Sequence, residues 1–257
     1  MLIPERQSRL RDLIARRGMC DFETLASELR VSQSTVRRDV KSLAKRGVVK
    51  RTHGGAIWVG DADSSASARP YAFDQRMAVR ADAKRAIARA ARALVKPADT
   101  ILIDGGTTTF HLAHELGGAS IQLVTNSLPV ADLFRNDEAV ELVITGGLMY
   151  PRYGVLLGPL ALEMLGTIHP RTLFFSVAGI HAGALYNQNQ LLVEAELRMI
   201  AQAQQAVLLA DSSKFGQQAL ARLCALSDID IVVTDREITD DHRAAVRAAG
   251  CKLIIAE

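Results

Sequence analysis

From residue 100 onward, short apolar runs rich in strand-forming residues alternate with stretches of helical spacing, and this alternation limits the fold most. The candidate strands are Thr100 to Ile103, Ile121 to Thr125, Val140 to Thr145, Leu173 to Ala178, Ala206 to Ala210, Ile229 to Thr234 and Lys252 to Ile255. Helical stretches between them include Thr109 to Leu116, Pro159 to Ile168 and Val193 to Gln204. Such an order predicts an α/β domain with a largely parallel sheet and helices on both faces. Ligands of such sheets bind beyond the carboxyl ends of the strands, where Asp104, Thr125, Gly146, Gly179 and Asp211 fall.

A chain of 257 residues has room for a smaller second domain as well. The net charge of +3 hides an uneven distribution: residues 1 to 60 carry a balance of +7 and the remainder −4. A basic head on a mildly acidic body suggests that only the head meets a polyanion. Between them, Gly60 to Pro70 is small, polar and without apolar periodicity, and reads as a linker. The expected organisation is therefore a head over 1–59, a linker over 60–70 and a body over 71–257. The body opens with an Ala- and Arg-rich helical stretch, Asp74 to Val95, ended by Pro97. Neither a signal-peptide order nor a bilayer-length apolar run is present, so a cytoplasmic protein with no membrane partner is expected. Cys20, Cys224 and Cys251 are three widely spaced thiols, which suits a reducing compartment and argues against disulfides or a zinc site.

Within the head, Leu10, Leu13 and Ile14 recur at helical spacing, and a second short helix follows Asp21 with Phe22, Leu25, Ala26 and Leu29 on one face. Ser32 reads as the cap of a third helix whose Val36, Val40 and Leu43 would pack on the first two. Ser34, Thr35, Arg37, Arg38 and Lys41 then fall elsewhere on that helix. Hydroxyls and guanidinium groups at the N-terminal turns are what a helix needs to enter the major groove. Lys45, Arg46, Lys50 and Arg51 extend the positive surface toward the phosphates. Val48 to Arg51, a turn at His53-Gly54-Gly55 and Ala56 to Val59 read as a β-hairpin. The candidate DNA contacts are Ser32, Ser34, Thr35, Arg37, Arg38, Lys41, Lys45, Arg46, Lys50, Arg51 and His53, in a winged helix-turn-helix. A three-helix module that binds protein is the alternative.

In the body, Asp104-Gly105-Gly106-Thr107-Thr108 ends a strand and starts a helix. Glycines before a helix N-terminus free backbone N–H groups for an anion, and the threonines add hydroxyls. An ordinary strand-to-helix turn with a Thr cap would look the same. His111 and His114 lie three apart on one helix with no third ligand at zinc-like spacing, so no metal is expected. No GxxxxGK[ST] supports a nucleotide site, and no cofactor is expected.

Val31-Ser32 through Val40, followed by Arg51-Thr52-His53-Gly54-Gly55-Ala56, closely resembles the helix-turn-helix and wing signature of the DeoR family of bacterial repressors. The body is similar to that family in ordered landmarks: Arg76 and Lys84, Asp104 to Thr108, Thr125-Asn126-Ser127, Gly146-Gly147, Gly158 and Asp211 to Phe215. The resemblance implies a repressor of sugar or related catabolic genes, bound to operator DNA as a homo-oligomer and released by a small phosphorylated metabolite. It also implies a body like the ribose-5-phosphate isomerase fold, in which such a loop holds a phosphate and a lysine on the first helix assists; Lys84 matches that lysine. The effector residues so implied are Lys84, Asp104, Gly105, Gly106, Thr107, Thr108, Thr125, Asn126, Ser127, Gly146, Gly147, Glu194, Asp211 and Lys214. Asn126 and Asp211 would meet ligand hydroxyls, although Asn126-Ser127 also suits a helix cap. Glu194 is either a hydroxyl contact or surface charge. In the same region many members carry a lysine where this chain, aligned through Met199-Ile200, has Glu196. A fused sugar-phosphate isomerase is the competing function. It would need a carboxylate base, and Leu148, Met149 and Tyr150 follow Gly146-Gly147 where acidic groups would be expected; no catalytic residue is assigned.

Overall fold

The computed structural model describes residues 6–7, 9–10, 13–14, 19–29, 31–45, 49–52, 54–58 and 73–257. These divide into two compact units, Met1–Pro70 and Tyr71–Glu257. The segment expected as a linker lies outside the described residues.

In the first unit, strand β1 (Met19–Asp21) leads into helix α1 (Phe22–Leu29), then helix α2 (Gln33–Lys45) and a hairpin of β2 (Val49–Arg51) and β3 (Gly55–Trp58). The three strands form an antiparallel sheet in the order β1-β3-β2. Helix α1 buries Phe22, Leu25, Ala26 and Leu29, the face its apolar spacing predicts. Asp21 starts it, accepting from the Thr24 amide at 2.7 Å. Those side chains form one core with Leu10, Ile14, Val36, Val40, Leu43 and Val49. Strand β1 was not expected. It is three residues long, too short for a period-2 pattern, and it forms because β3 offers it a partner. Gly55 permits that pairing: a Cβ there would lie 2.2 Å from the Cys20 carbonyl oxygen.

In the second unit, β4 (Thr100–Ile103), β5 (Ile121–Thr125), β6 (Val140–Ile144), β9 (Thr172–Phe175), β12 (Gln205–Leu209), β14 (Ile231–Asp235) and β15 (Lys252–Ala256) build one seven-stranded sheet. Every pairing in it is parallel. Its order is β15-β14-β12-β9-β4-β5-β6. Alternate residues feed opposite faces: Leu102, Leu173, Phe175, Leu208 and Val232 enter one core, while Ile101, Ile103, Phe174, Val207 and Leu209 enter the other. Each fully buried Phe or Leu contributes on the order of 1.5–3 kcal/mol.

Helices α3 (Phe73–Ala78) and α4 (Ala81–Arg92) replace the single helix expected over Asp74 to Val95. Arg80, with φ 52°, breaks it. Helix α4, with α5 (Thr107–His114) and α6 (Leu128–Phe134), supplies one face of the sheet. Helices α7 (Pro159–Leu165), α8 (Gln190–Gln202) and α9 (Asp240–Ala248) supply the other. A hairpin of β7 (Leu148–Tyr150) and β8 (Val155–Leu157) stands beside β6, and β10 (Gly179–His181), β11 (Ala184–Asn187) and β13 (Ala221–Ala225) form a separate antiparallel sheet. Among the described residues no helix is long and apolar enough to cross a membrane.

Candidate functional site

On helix α2 the apolar stripe Val36, Val40 and Leu43 is buried, which turns Ser34, Arg37, Arg38 and Lys41 outward as exposed residues. Ser32 caps the helix: its Oγ accepts from the Thr35 amide at 3.3 Å and its carbonyl from Val36 at 3.1 Å. The Ser34 and Thr35 hydroxyls both lie within 2.9 Å of Ser32 Oγ, so they begin as a local cluster that a nucleic acid would have to reopen. Arg37 sits over the Phe22 ring, 5.4 Å from its centroid. Asp39 is buried and anchors the helix by accepting from Arg6 at 2.6 Å and Gln7 at 3.1 Å. Lys45 lies on α2, and Lys50 and Arg51 on β2, but nothing further is described of their side chains. Arg46 and His53 lie outside the described residues.

In the body, β4 begins one run of neighbours toward β6 and β9 begins the run toward β15. The strand order therefore reverses between β4 and β9, and a crevice opens at such a reversal beyond the carboxyl ends. Asp104-Gly105-Gly106 leaves β4 there and Ser176 leaves β9. The two glycines are required by crowding, with no left-handed backbone at either position. A Cβ on Gly105 would meet Val155 Cγ1 at 2.0 Å, and one on Gly106 would meet Ser176 Oγ at 2.1 Å. The Gly106 amide is also spoken for, donating to Thr109 Oγ1 at 2.8 Å. The amides of Thr107 and Thr108, in the first turn of α5, lack intrahelical acceptors and stand at the positive end of the helix dipole.

Asp104 is buried beside these amides. Burial raises its carboxyl to about 6, while the Gly105 amide, the Asn126 side chain and Arg76 hold it down. Asn126 is fully buried and approaches Asp104 closely enough to act on it, yet neither of its amide atoms completes a hydrogen bond. Glu196 is buried as well; burial and the charge of Asp104 push it well above the usual carboxylate range, against a hydrogen bond from Asn187 at 2.5 Å. Its Oε2 has no partner. Tyr153 closes this end, its hydroxyl donating to Gln188 at 2.8 Å and its ring under the Arg76 guanidinium at 4.5 Å.

Cations gather on the other side. Lys84 is buried and donates to the Arg76 carbonyl at 2.6 Å. Burial lowers it to about 8; Asp211 raises it, and Lys214 and Arg76 lower it, which places all four within electrostatic reach. Asp211 is buried at the end of β12 and pairs with Arg80 at 3.3 Å.

The expected residues thus separate. Asp104, Gly105, Gly106, Thr107 and Thr108 lie at the strand reversal with Asn126 against Asp104, and Lys84 lies within electrostatic reach of Asp211 and Lys214. Thr125 serves the backbone, donating to the Ile103 carbonyl at 2.7 Å, and Ser127 caps α6. Gly146 and Gly147 are exposed and turn β6, the edge strand, into β7, with Gly147 at φ 129°. Glu194 is exposed on α8, whereas Glu196, two residues on, is buried beside Asp104. Arg76, Tyr153 and Asn187 were not among the expected site residues. Arg76 carried a signal, since it precedes Lys84 at helical spacing on the same basic stretch.

An exposed basic helix with a wing, followed by an α/β body with buried polar groups at the carboxyl ends of its strands, fits a DNA-binding transcriptional regulator with a sensor domain. The chain belongs to the DeoR family: residues 6–61 match the DeoR-like helix-turn-helix domain and residues 79–236 the DeoR C terminal sensor domain. It is 31% identical over 237 residues to the uncharacterized HTH-type transcriptional regulator YulB of Bacillus subtilis, covering 91% of this chain and 90% of that one. It is 30% identical to the L-fucose operon activator of Escherichia coli, covering 90% and 94%, and 27% identical to the HTH-type transcriptional repressor GlcR of Bacillus subtilis, covering 98% and 96%. Among solved structures it is similar to ribose 5-phosphate isomerase A of Methanocaldococcus jannaschii, with a TM-score of 0.39 and 19% identity over 52% of this chain and 54% of that one.

Proposed function

We propose that the protein represses a carbohydrate-related catabolic operon and that a phosphorylated sugar or similar metabolite, bound in the body, relieves the repression. The observation that carries this reading is the crevice itself. Arg76 Nε and Nη2, both amide atoms of Asn126 and Glu196 Oε2 are buried without partners. Buried polar groups are rarely left unpaired, and a polyhydroxy phosphomonoester supplies what each lacks. Its phosphoryl oxygens suit Lys84, Lys214, Arg76 and the first amides of α5; its hydroxyls suit Asn126 and the two carboxyls. A relative named as a repressor and others named for sugar operons support the class of target. We place the ligand as an effector held, not turned over, in keeping with relatives that are named regulators. Two copies would set two α2 helices on spaced operator half-sites.

The test uses purified full-length protein and duplexes from the flanks of its own gene. Fluorescence anisotropy should show specific binding that falls when one of a panel of pentose and hexose phosphates is added. Ligand binding that leaves operator affinity unchanged would overturn the regulatory reading. Steady isomerisation of a pentose phosphate, lost in Asp104→Ala, would favour the enzyme instead.

A further inference from the structure

Arg76 is set apart from the other cations of the crevice by what surrounds it. Its guanidinium carbon lies 4.5 Å from the Tyr153 ring centroid and 5.9 Å from that of Phe73. Both rings are within cation–π reach of the guanidinium, and its donors Nε and Nη2 are buried without a hydrogen-bond partner. A charged donor buried without an acceptor is an unfavourable arrangement that a bound anion would relieve. Asp104 is within electrostatic reach but accepts from neither atom.

Arg76 also occupies a particular place in the chain. It lies on α3, the first described element after residues 59–72, the stretch between head and body. Helix α3 is a six-residue helix. Phe73 packs edge-on against Phe110 at 5.3 Å, and Lys84 Nζ holds the Arg76 carbonyl at 2.6 Å. At its far end Arg80, in the left-handed region, separates α3 from α4. The Arg80 guanidinium is fixed by Ser212 at 2.9 Å, Glu237 at 2.8 Å and Asp211 at 3.3 Å. A short helix set between the fixed Arg80 and the chain leading to the head, and carrying an unsatisfied cation, is a point at which a bound anion can act on that chain.

We infer that Arg76 is the coupling residue of this regulator: a phosphoryl group accepting from its Nε and Nη2 draws α3 onto the sheet and so moves the point from which the chain runs toward the DNA-binding head. The inference rests on the effector reading above and goes beyond it, because it separates coupling from holding. Lys214, on the 3-10 turn Ser212–Lys214, contributes charge to the same anion but lies on an element that does not lead to the head. Loss of Lys214 weakens binding and leaves the response at saturation intact. Loss of Arg76 weakens binding and removes the response as well.

The experiment compares the wild-type chain with Arg76→Gln, Arg76→Lys and Lys214→Gln, first with inorganic phosphate and then with the pentose and hexose phosphate panel. Calorimetry gives affinity, hydrogen exchange reports residues 73–80, and anisotropy gives operator affinity at saturating ligand. Arg76→Gln should weaken anion binding by roughly tenfold or more, as expected for a lost charged hydrogen bond. Even at saturation it should show neither slowed exchange over 73–80 nor a change in operator affinity. Lys214→Gln should need more ligand and then reach the wild-type plateau in both. Arg76→Lys keeps charge and fold but loses the edge geometry, so its plateau should be reduced. Should Arg76→Gln bind phosphate and reach the wild-type plateau, the coupling role is wrong while the effector reading stands. If the wild-type chain binds no phosphate compound, both fall together.

Discussion

Asp104 and Glu196 are both buried, and the charge of Asp104 adds to burial in making Glu196 hard to ionise. The folded chain holds the Asp104 proton more tightly than the unfolded chain does, about 6 against 3.8. Stability is therefore lost as pH rises through that interval. Asp104→Asn carries no such proton and should not lose it. Denaturant melts from pH 4 to pH 7.5 should show the variant gaining on the wild type across the window; a gap that stays constant with pH would mean a solvated carboxyl. Lys84 gives the opposite edge of the pH range. Its ammonium, lowered to about 8 chiefly by burial, discharges above that value, so anion affinity should fall between pH 7 and pH 9. Lys84→Arg stays charged and should flatten that decline in calorimetric titrations. At this scale the sequence was a partial guide. Strand ends and glycines marked Asp104 to Thr108, because a strand-to-helix junction has a local signature. Glu196 was harder to place than Glu194, since two steps along a helix turn a side chain by about 200° and decide which glutamate is buried beside Asp104. Only the packing of α8 against the sheet settles it.

Arg37 and Arg38 of helix α2 differ in a way that salt can separate. Arg38 is exposed, so Arg38→Ala should lower the slope of log affinity against log salt by about 1 if it meets a phosphate. Arg37 additionally covers Phe22, and Arg37→Ala should cost about 1–3 kcal/mol in specific binding if it reads a base edge. Anisotropy titrations at four salt concentrations measure both. On the body, β8 presses on the turn after β4: Gly105→Ala would set a methyl 2.0 Å from Val155 Cγ1. The variant should bind anion poorly, and Gly105→Ala combined with Val155→Ala should recover much of the loss, because the second change removes the obstruction. A double variant as poor as the single would assign Gly105 to backbone conformation instead. All seven strands of the parallel sheet were legible as apolar runs, since strands covered on both faces need no polar positions. The strands missed, β1, β7, β8, β10, β11 and β13, are three to five residues long and pair antiparallel at the margins. Such segments owe their form to a neighbour more than to their own composition. The break at Arg80 was hidden for a related reason: nothing in an Ala- and Arg-rich stretch marks a residue held in the left-handed region by Asp211, Ser212 and Glu237.

For the molecule as a whole, a ligand can shift the head only by as much as it distinguishes two states of the chain. If a phosphorylated effector lowers operator affinity by some factor, the operator must lower effector affinity by the same factor. Couplings of this kind are typically about 1–3 kcal/mol, or roughly 5–150-fold, which is within reach of direct titration. The expectation is that effector affinity measured with the operator duplex saturating will be weaker than in its absence, by the ratio that anisotropy gives in the reverse experiment. A duplex of scrambled sequence controls for charge alone, since phosphates in bulk could compete with a phosphorylated ligand for the cations of the crevice. Under simple competition the scrambled duplex would act as well as the operator, and raising salt would abolish the effect in step with DNA binding. Under linkage only the operator acts, and Arg76→Gln loses the effect in both directions at once. Unequal factors in the two directions would show that a third state or a change of assembly intervenes, and a two-state description of this regulator would have to be given up.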